Sequence, residues 1–133
     1  MSPSPSILSE HFGGTLIIRI QYRKLREVEV AHQLQRAMIA EVTAANPQVV
    51  ILDFTAVETL GSVAFLAFLA VKRQGNVQRV ILCSLNQHVR ECFEICRLVR
   101  SESLPSAPFE QADSVADAIA LAETASCDDS SES

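Results

Sequence analysis

No apolar run in this 133-residue chain reaches the ~18 residues that a membrane span requires. Basic residues are in deficit, with 11 Lys+Arg against 16 Asp+Glu and a net charge of −5. That balance argues against a continuous basic face for DNA or RNA, because the phosphate backbone is held mainly by Lys and Arg. Glycine is scarce. Gly13, Gly14, Gly61 and Gly75 form neither G-x-G-x-x-G nor a P-loop, so no phosphate cradle of those types is encoded. His11, His32 and His88 are scattered, and neither H-E-x-x-H nor G-x-S-x-G occurs, which leaves no recognisable catalytic constellation and implies no enzyme and no cofactor. The four cysteines, Cys83, Cys92, Cys96 and Cys127, contain no C-x-x-C pair. The Ser/Pro-rich start, Met1 to Ser6, carries no basic residue and does not resemble a signal peptide. The expected compartment is therefore the cytoplasm, with the thiols reduced.

What is present is the composition of a folded globular domain, 48% hydrophobic and 20% charged. A chain this long buries roughly two-thirds of its unfolded surface and needs neither metal nor disulfide to hold a core. Ile7 to Phe12 and Thr15 to Ile20 read as strands joined at Gly13-Gly14, a hairpin signal. Tyr22 to Arg26 reads as a basic loop. Val30, Leu34, Ala37, Met38 and Val42 have helical spacing, ended by Asn46-Pro47. Val49 to Leu52 and Val80 to Cys83 are continuous apolar runs that suit strands buried on both faces. An apolar helix is expected from Ser62 to Gln74, and a third, capped by Asn86, to about Leu98. A weak strand near Ala107 to Glu110 and a last helix from Val115 to about Ala122, capped by Asp113 or Ser114, complete the pattern. Strand alternating with helix predicts a single α/β domain, with a mostly parallel sheet, an antiparallel N-terminal hairpin strand and about four helices. The domain is expected over 7–122, between a disordered N-terminus (1–6) and a flexible acidic tail (123–133).

Three features bear on chemistry. His88, Cys92 and Cys96 follow one another at four-residue intervals on one helix, a spacing that could present metal ligands. The same helix carries Val89, Cys92, Phe93 and Cys96 as an i, i+3, i+4, i+7 stripe, which instead makes the thiols small buried groups, and no fourth ligand is evident. No metal site is assigned. The cluster Arg23-Lys24-Leu25-Arg26 reads as a solvated turn or as a contact for an anionic partner, and Glu27 and Glu29 follow at once. The third is Ser62. Val63 to Val71 is apolar around the whole helix, so part of it must meet neighbouring helices, a second copy or another protein. Ser62 at its start is either a plain N-cap or a phosphorylation site whose charge would switch partner binding.

The segment Val49-Val-Ile-Leu-Asp53, its following loop, and Leu60-Gly-Ser62 opening an apolar helix resemble the core of the STAS domain, the domain of anti-sigma-factor antagonists and of sulfate-transporter tails. The resemblance continues through Val80 to Arg90, the helix ending at Leu98, Phe109, and the helix Ser114 to Ala122. It implies a regulatory protein-binding module whose partner is an anti-sigma factor with serine-kinase character. Phosphorylation at Ser62 would dissociate the two, and Thr59, Leu60, Gly61, Ser62 and Val63 would form the partner-binding surface. Phosphorylated members typically read Asp-Ser-Ser/Thr-Gly where this chain reads Gly61-Ser62-Val63-Ala64. The switch hydroxyl is kept and its neighbours are replaced. An unphosphorylated scaffold subunit of a signalling assembly and a separate transporter-associated subunit are the other roles open to such a domain.

Overall fold

A computed structural model describes residues 7–100 and 107–132, of residues 124–132 the backbone alone. In chain order the elements are β1 (Ile7–Phe12), β2 (Thr15–Ile20), β3 (Lys24–Leu25), α1 (Val28–Ala45), β4 (Val49–Asp53), β5 (Thr59–Leu60), α2 (Ser62–Lys72), β6 (Arg79–Cys83), α3 (Gln87–Ile95), β7 (Phe109–Ala112) and α4 (Val115–Glu132). The main sheet has the order β1-β2-β4-β6-β7. Only the β1–β2 hairpin is antiparallel; the other pairs are parallel. The hairpin turns where Gly13 adopts a φ of 56°, a conformation that costs a residue with a Cβ.

Parallel strands need helical crossovers, and α1, α2 and α3 supply them. All three pack on one face of the sheet, where Leu34, Met38, Phe68, Val89 and Phe93 share a core with Leu16, Ile18, Val50, Leu52, Val80 and Leu82. The alternate strand residues Ile17, Ile51 and Ile81 turn to the other face and are covered by Ala118 and Ala122 of α4. That two-sided burial is why β4 and β6 read as unbroken apolar runs. The expected adjacency of Val49–Asp53 and Val80–Cys83 is present, with Val50 opposite Val80 and Leu52 opposite Leu82.

Local chemistry sets the helix ends. Asn46, in the left-handed conformation at φ 52°, closes α1 by donating its amide to the Val42 carbonyl at 2.7 Å. Asn86 caps α3, its Oδ1 accepting from the Val89 amide at 2.8 Å. Of the two residues expected to cap α4, Ser114 does so, accepting from the Asp117 amide at 3.1 Å.

Several boundaries differ from those expected. The helix α3 stops at Ile95, not near Leu98, because Arg97 turns to a φ of 60° and the Leu98 amide folds back onto the Phe93 carbonyl at 3.0 Å. The last strand lies two residues later than expected. The α4 backbone continues past Ala122 to Glu132, through a stretch that contains neither glycine nor proline to break it. The expected disordered segment 1–6 lies outside the described residues, as do Ser101 to Ser106 in the irregular stretch before β7.

Candidate functional site

The chain leaves the sheet at Asp53 and reaches Ser62 through a loop anchored at several points. Asp53 is buried, and its Oδ1 accepts from both the amide and the hydroxyl of Thr55, at 3.0 and 2.6 Å. This side-chain turn bends the chain away from β4. Phe54 is fully buried, and its amide donates to the Cys83 carbonyl at 3.0 Å. Farther along, the Asn86 side-chain amide donates to the carbonyls of Val57 and Glu58, each at 3.2 Å. The residue that caps α3 thus also holds the loop that carries Ser62.

The other wall comes from the basic segment, which the sequence reading treats as a loop. Lys24–Leu25 is a strand here, paired in parallel with Thr59–Leu60. The Arg23 carbonyl accepts from the Glu58 amide at 2.7 Å, and the Leu25 carbonyl from the Gly61 amide at 2.7 Å. Leu25 is fully buried, and Arg23 forms an exposed ion pair with Glu58 at 2.9 Å. The basic cluster is therefore not a simple solvated turn: Leu25 is anchored in the core, while Arg23, Lys24 and Arg26 stay exposed. The apolar Leu25 amid charged neighbours was the available signal for this strand.

Gly61, not Ser62, is the N-cap of α2, with no side-chain cap hydrogen bond; Ser62 is the first helical residue and is exposed. The plain N-cap reading of Ser62 is thereby corrected: the preceding residue already occupies that position. Gly61 is fitted to its surroundings, since a Cβ there would stand 3.1 Å from the Arg26 Cα and 3.4 Å from its carbonyl oxygen. Thr59 is half-buried, and its Oγ1 meets no hydrogen-bond partner among the described residues. Leu60 is buried in the core, whereas Val63 is half-buried. Of the five residues expected at the partner surface, Ser62 alone is exposed.

The apolar girth of α2 divides as its neighbours dictate. Ala64, Phe65, Ala67, Phe68 and Val71 are buried, with α1 alongside. Leu66 is 66% exposed, one helical turn after Ser62 and therefore beside it on the helix surface. A hydroxyl and a large apolar side chain thus share an outward face that the fold leaves uncovered.

The cysteine stripe does not form as expected. Val89 and Phe93 are buried, but Cys92 is half-buried and Cys96 exposed, because Cys96 lies beyond the last helical residue as its C-cap. The His88 Nε2 and Cys92 Sγ stand 3.9 Å apart. Among the described residues no cluster of three or more His, Cys, Asp or Glu side chains is arranged to hold a metal ion. Cys83, Cys92 and Cys96 are free thiols; the side chain of Cys127 lies outside the described residues. Burial, followed by the nearby Asp53 charge, pushes the Cys83 thiol up to about 12, so it is protonated and unreactive at neutral pH.

Comparison with known proteins agrees with this architecture. The sequence pattern of the family described as STAS domain matches residues 7–118. Curated proteins give no sequence match. An anti-sigma factor antagonist from Mycobacterium paratuberculosis superposes with a TM-score of 0.68 at 21% identity, covering 91% of this chain and 97% of its own. The anti-sigma factor antagonist SpoIIAA, in its unphosphorylated form, gives 0.60 at 16% identity, covering 88% of this chain and 97% of its own. At such identities the likeness establishes the fold. No described helix is long and apolar enough to cross a membrane.

Proposed function

The chain belongs to the STAS domain family, and from that premise we propose that it is a regulatory protein-binding module, an anti-sigma-factor antagonist whose partner is an anti-sigma factor with serine-kinase activity. In this reading the unmodified protein binds the kinase and frees the sigma factor. Phosphorylation at Ser62 then releases the complex. The domain acts in the cytoplasm as substrate of the ATP-using partner and is not itself an enzyme.

The observation that carries the reading is the pairing of exposed Ser62, at the first turn of α2, with exposed Leu66 one turn later. Gly61 contributes no capping side chain, so the helix start can accept an anion without displacing one. A phosphate there gains from the helix dipole and the first-turn amides, and the domain has no reason to unfold. The same phosphate adds about −2 of charge beside an apolar contact. A partner matched to the neutral hydroxyl and Leu66 would have to desolvate that charge, which is costly.

Gly61 replaces the acidic residue that phosphorylated members of the family carry before the serine. Its close approach to Arg26 supplies a physical reason for the replacement in this chain. Recognition by a kinase would then rest on the loop shape set by β3 and β5 rather than on a carboxylate.

The direct test incubates the protein with an anti-sigma serine kinase of its own cell and ATP, then maps phosphate by mass spectrometry. One phosphate at Ser62, absent from Ser62→Ala, is expected. Wild type that stays unmodified, or carries phosphate elsewhere, would contradict the switch and favour a constitutive scaffold.

A further inference from the structure

Away from Ser62, a cleft of about 390 Å³ opens at the carboxyl ends of β2 and β4, within the usual size range of small-ligand sites. Its floor follows from strand register. Leu8 lies opposite Arg19, and Arg19 opposite Asp53, so all three project from the same face of the sheet. That face is covered by α4 over β4, β6 and β7, which leaves its β1–β2 side open. Leu8 is 50% exposed there.

The polar groups of the cleft are ordered from beneath. Asp53 is only 7% exposed. Thr55 occupies its Oδ1 through two hydrogen bonds, and Arg19 Nε faces Oδ2 at 3.5 Å. This last distance is longer than an ordinary hydrogen bond, so Asp53 orients the guanidinium without saturating its donors. The Arg19 side chain remains 44% exposed at the cleft. Leu8 and Ala56 complete the lining with apolar surface; the Ile20 side chain turns to the other face and is buried in the core.

We propose that this cleft binds a small organic carboxylate, its anionic end on the Arg19 guanidinium and its apolar body against Leu8 and Ala56. The planar fork of arginine matches a carboxylate through paired hydrogen bonds. Paired with Asp53, Arg19 leaves the cleft floor with no net charge, so charge alone does little to favour a dianion such as phosphate over a monoanion. The apolar walls favour a ligand with a hydrocarbon body over a bare inorganic anion. Nothing in this assignment depends on modification of Ser62.

The test is an NMR titration of the full-length, isotope-labelled protein with benzoate, and in parallel with inorganic phosphate. Benzoate is expected to give saturable amide shifts at Arg19, Gln21 and Thr55, with a dissociation constant of roughly 0.1–10 mM, as suits so small a ligand. Arg19→Gln should weaken it about tenfold. Leu8→Glu places a carboxylate directly across from Arg19, where it competes for the guanidinium and repels an anion, so it should weaken benzoate several-fold as well. Non-saturating shifts, shifts equal for benzoate and phosphate, or benzoate binding unchanged by both substitutions in folded protein would each overturn the assignment.

Discussion

The Gly61 amide donates to the Leu25 carbonyl at 2.7 Å, and Gly61 approaches the same segment so closely that a Cβ would stand 3.1 Å from the Arg26 Cα. Two short strands are thereby clamped together immediately before the serine. Any side chain at residue 61 must push the Arg26 backbone away. Gly61→Ala is expected to destabilise the domain by about 1 kcal/mol in urea unfolding, and Gly61→Asp by more, through overpacking against backbone. A variant Gly61→Asp as stable as wild type would show that β3 yields freely.

Asn86 and Ser62 both lie near helix starts, yet their alanine variants should behave differently. Asn86 caps α3 and also donates to the Val57 and Glu58 carbonyls. Asn86→Ala should therefore lose about 1–2 kcal/mol of stability. Ser62 makes no capping bond, so Ser62→Ala should stay within about 0.5 kcal/mol of wild type. Parallel denaturant titrations check both, and a large loss for Ser62→Ala would mean that the hydroxyl is structural.

Phe93 joins the loop to the helices. Its ring lies 4.9 Å from that of Phe65, 5.7 Å from Phe54 and 5.9 Å from both Phe68 and Phe109. Phe93→Ala should cost roughly 3–5 kcal/mol, and Phe93→Leu distinctly less, by chemical unfolding. Equal effects would indicate that loss of the ring contacts, and not of filled volume, sets the cost.

Cys83 should make the protein less stable in alkali. Its native thiol is raised from 9.0 to about 12, chiefly by burial and then by Asp53. Below pH about 9 both states keep the proton. Above it the unfolded chain releases the proton while the native state holds it, so the stabilising contribution falls progressively as pH rises toward about 12. The unfolding free energy measured between pH 8 and 11 should drop more steeply for wild type than for Cys83→Ala, in the sense given by proton linkage. In native protein at neutral pH, exposed Cys96 should react quickly with a thiol reagent and Cys83 slowly. Equal rates would mean that β6 opens readily.

The parts of this fold legible in sequence are those with long periods or strong local chemistry. Val50 to Leu52 and Val80 to Leu82 announce buried parallel strands, and α1 shows one apolar face over 18 residues. Asn86 carries its own capping side chain. What stayed hidden is short or depends on distant partners. Lys24–Leu25 and Thr59–Leu60 are two-residue strands, too brief for alternation to be recognised, and each exists because the other lies beside it. The need for glycine at Gly61 comes from Arg26, 35 positions earlier, and no local pattern encodes it. Cys96 fits the helical stripe by spacing, but the left-handed turn at Arg97 ends the helix before that spacing applies. The location of Ser62 at the α2 start was readable from the apolar run behind it. The exposure of Leu66 alone among its large neighbours was not, because it depends on where α1 packs.

The central claim is that charge at Ser62 breaks a contact built around the exposed side chains of Ser62 and Leu66. It is tested most directly by calorimetric titration of the anti-sigma kinase with wild-type protein, the Ser62-phosphorylated form, and Ser62→Ala. The account predicts that phosphorylation weakens binding by at least about tenfold, whereas Ser62→Ala binds like unmodified wild type. Undiminished affinity of the phosphorylated protein would contradict it.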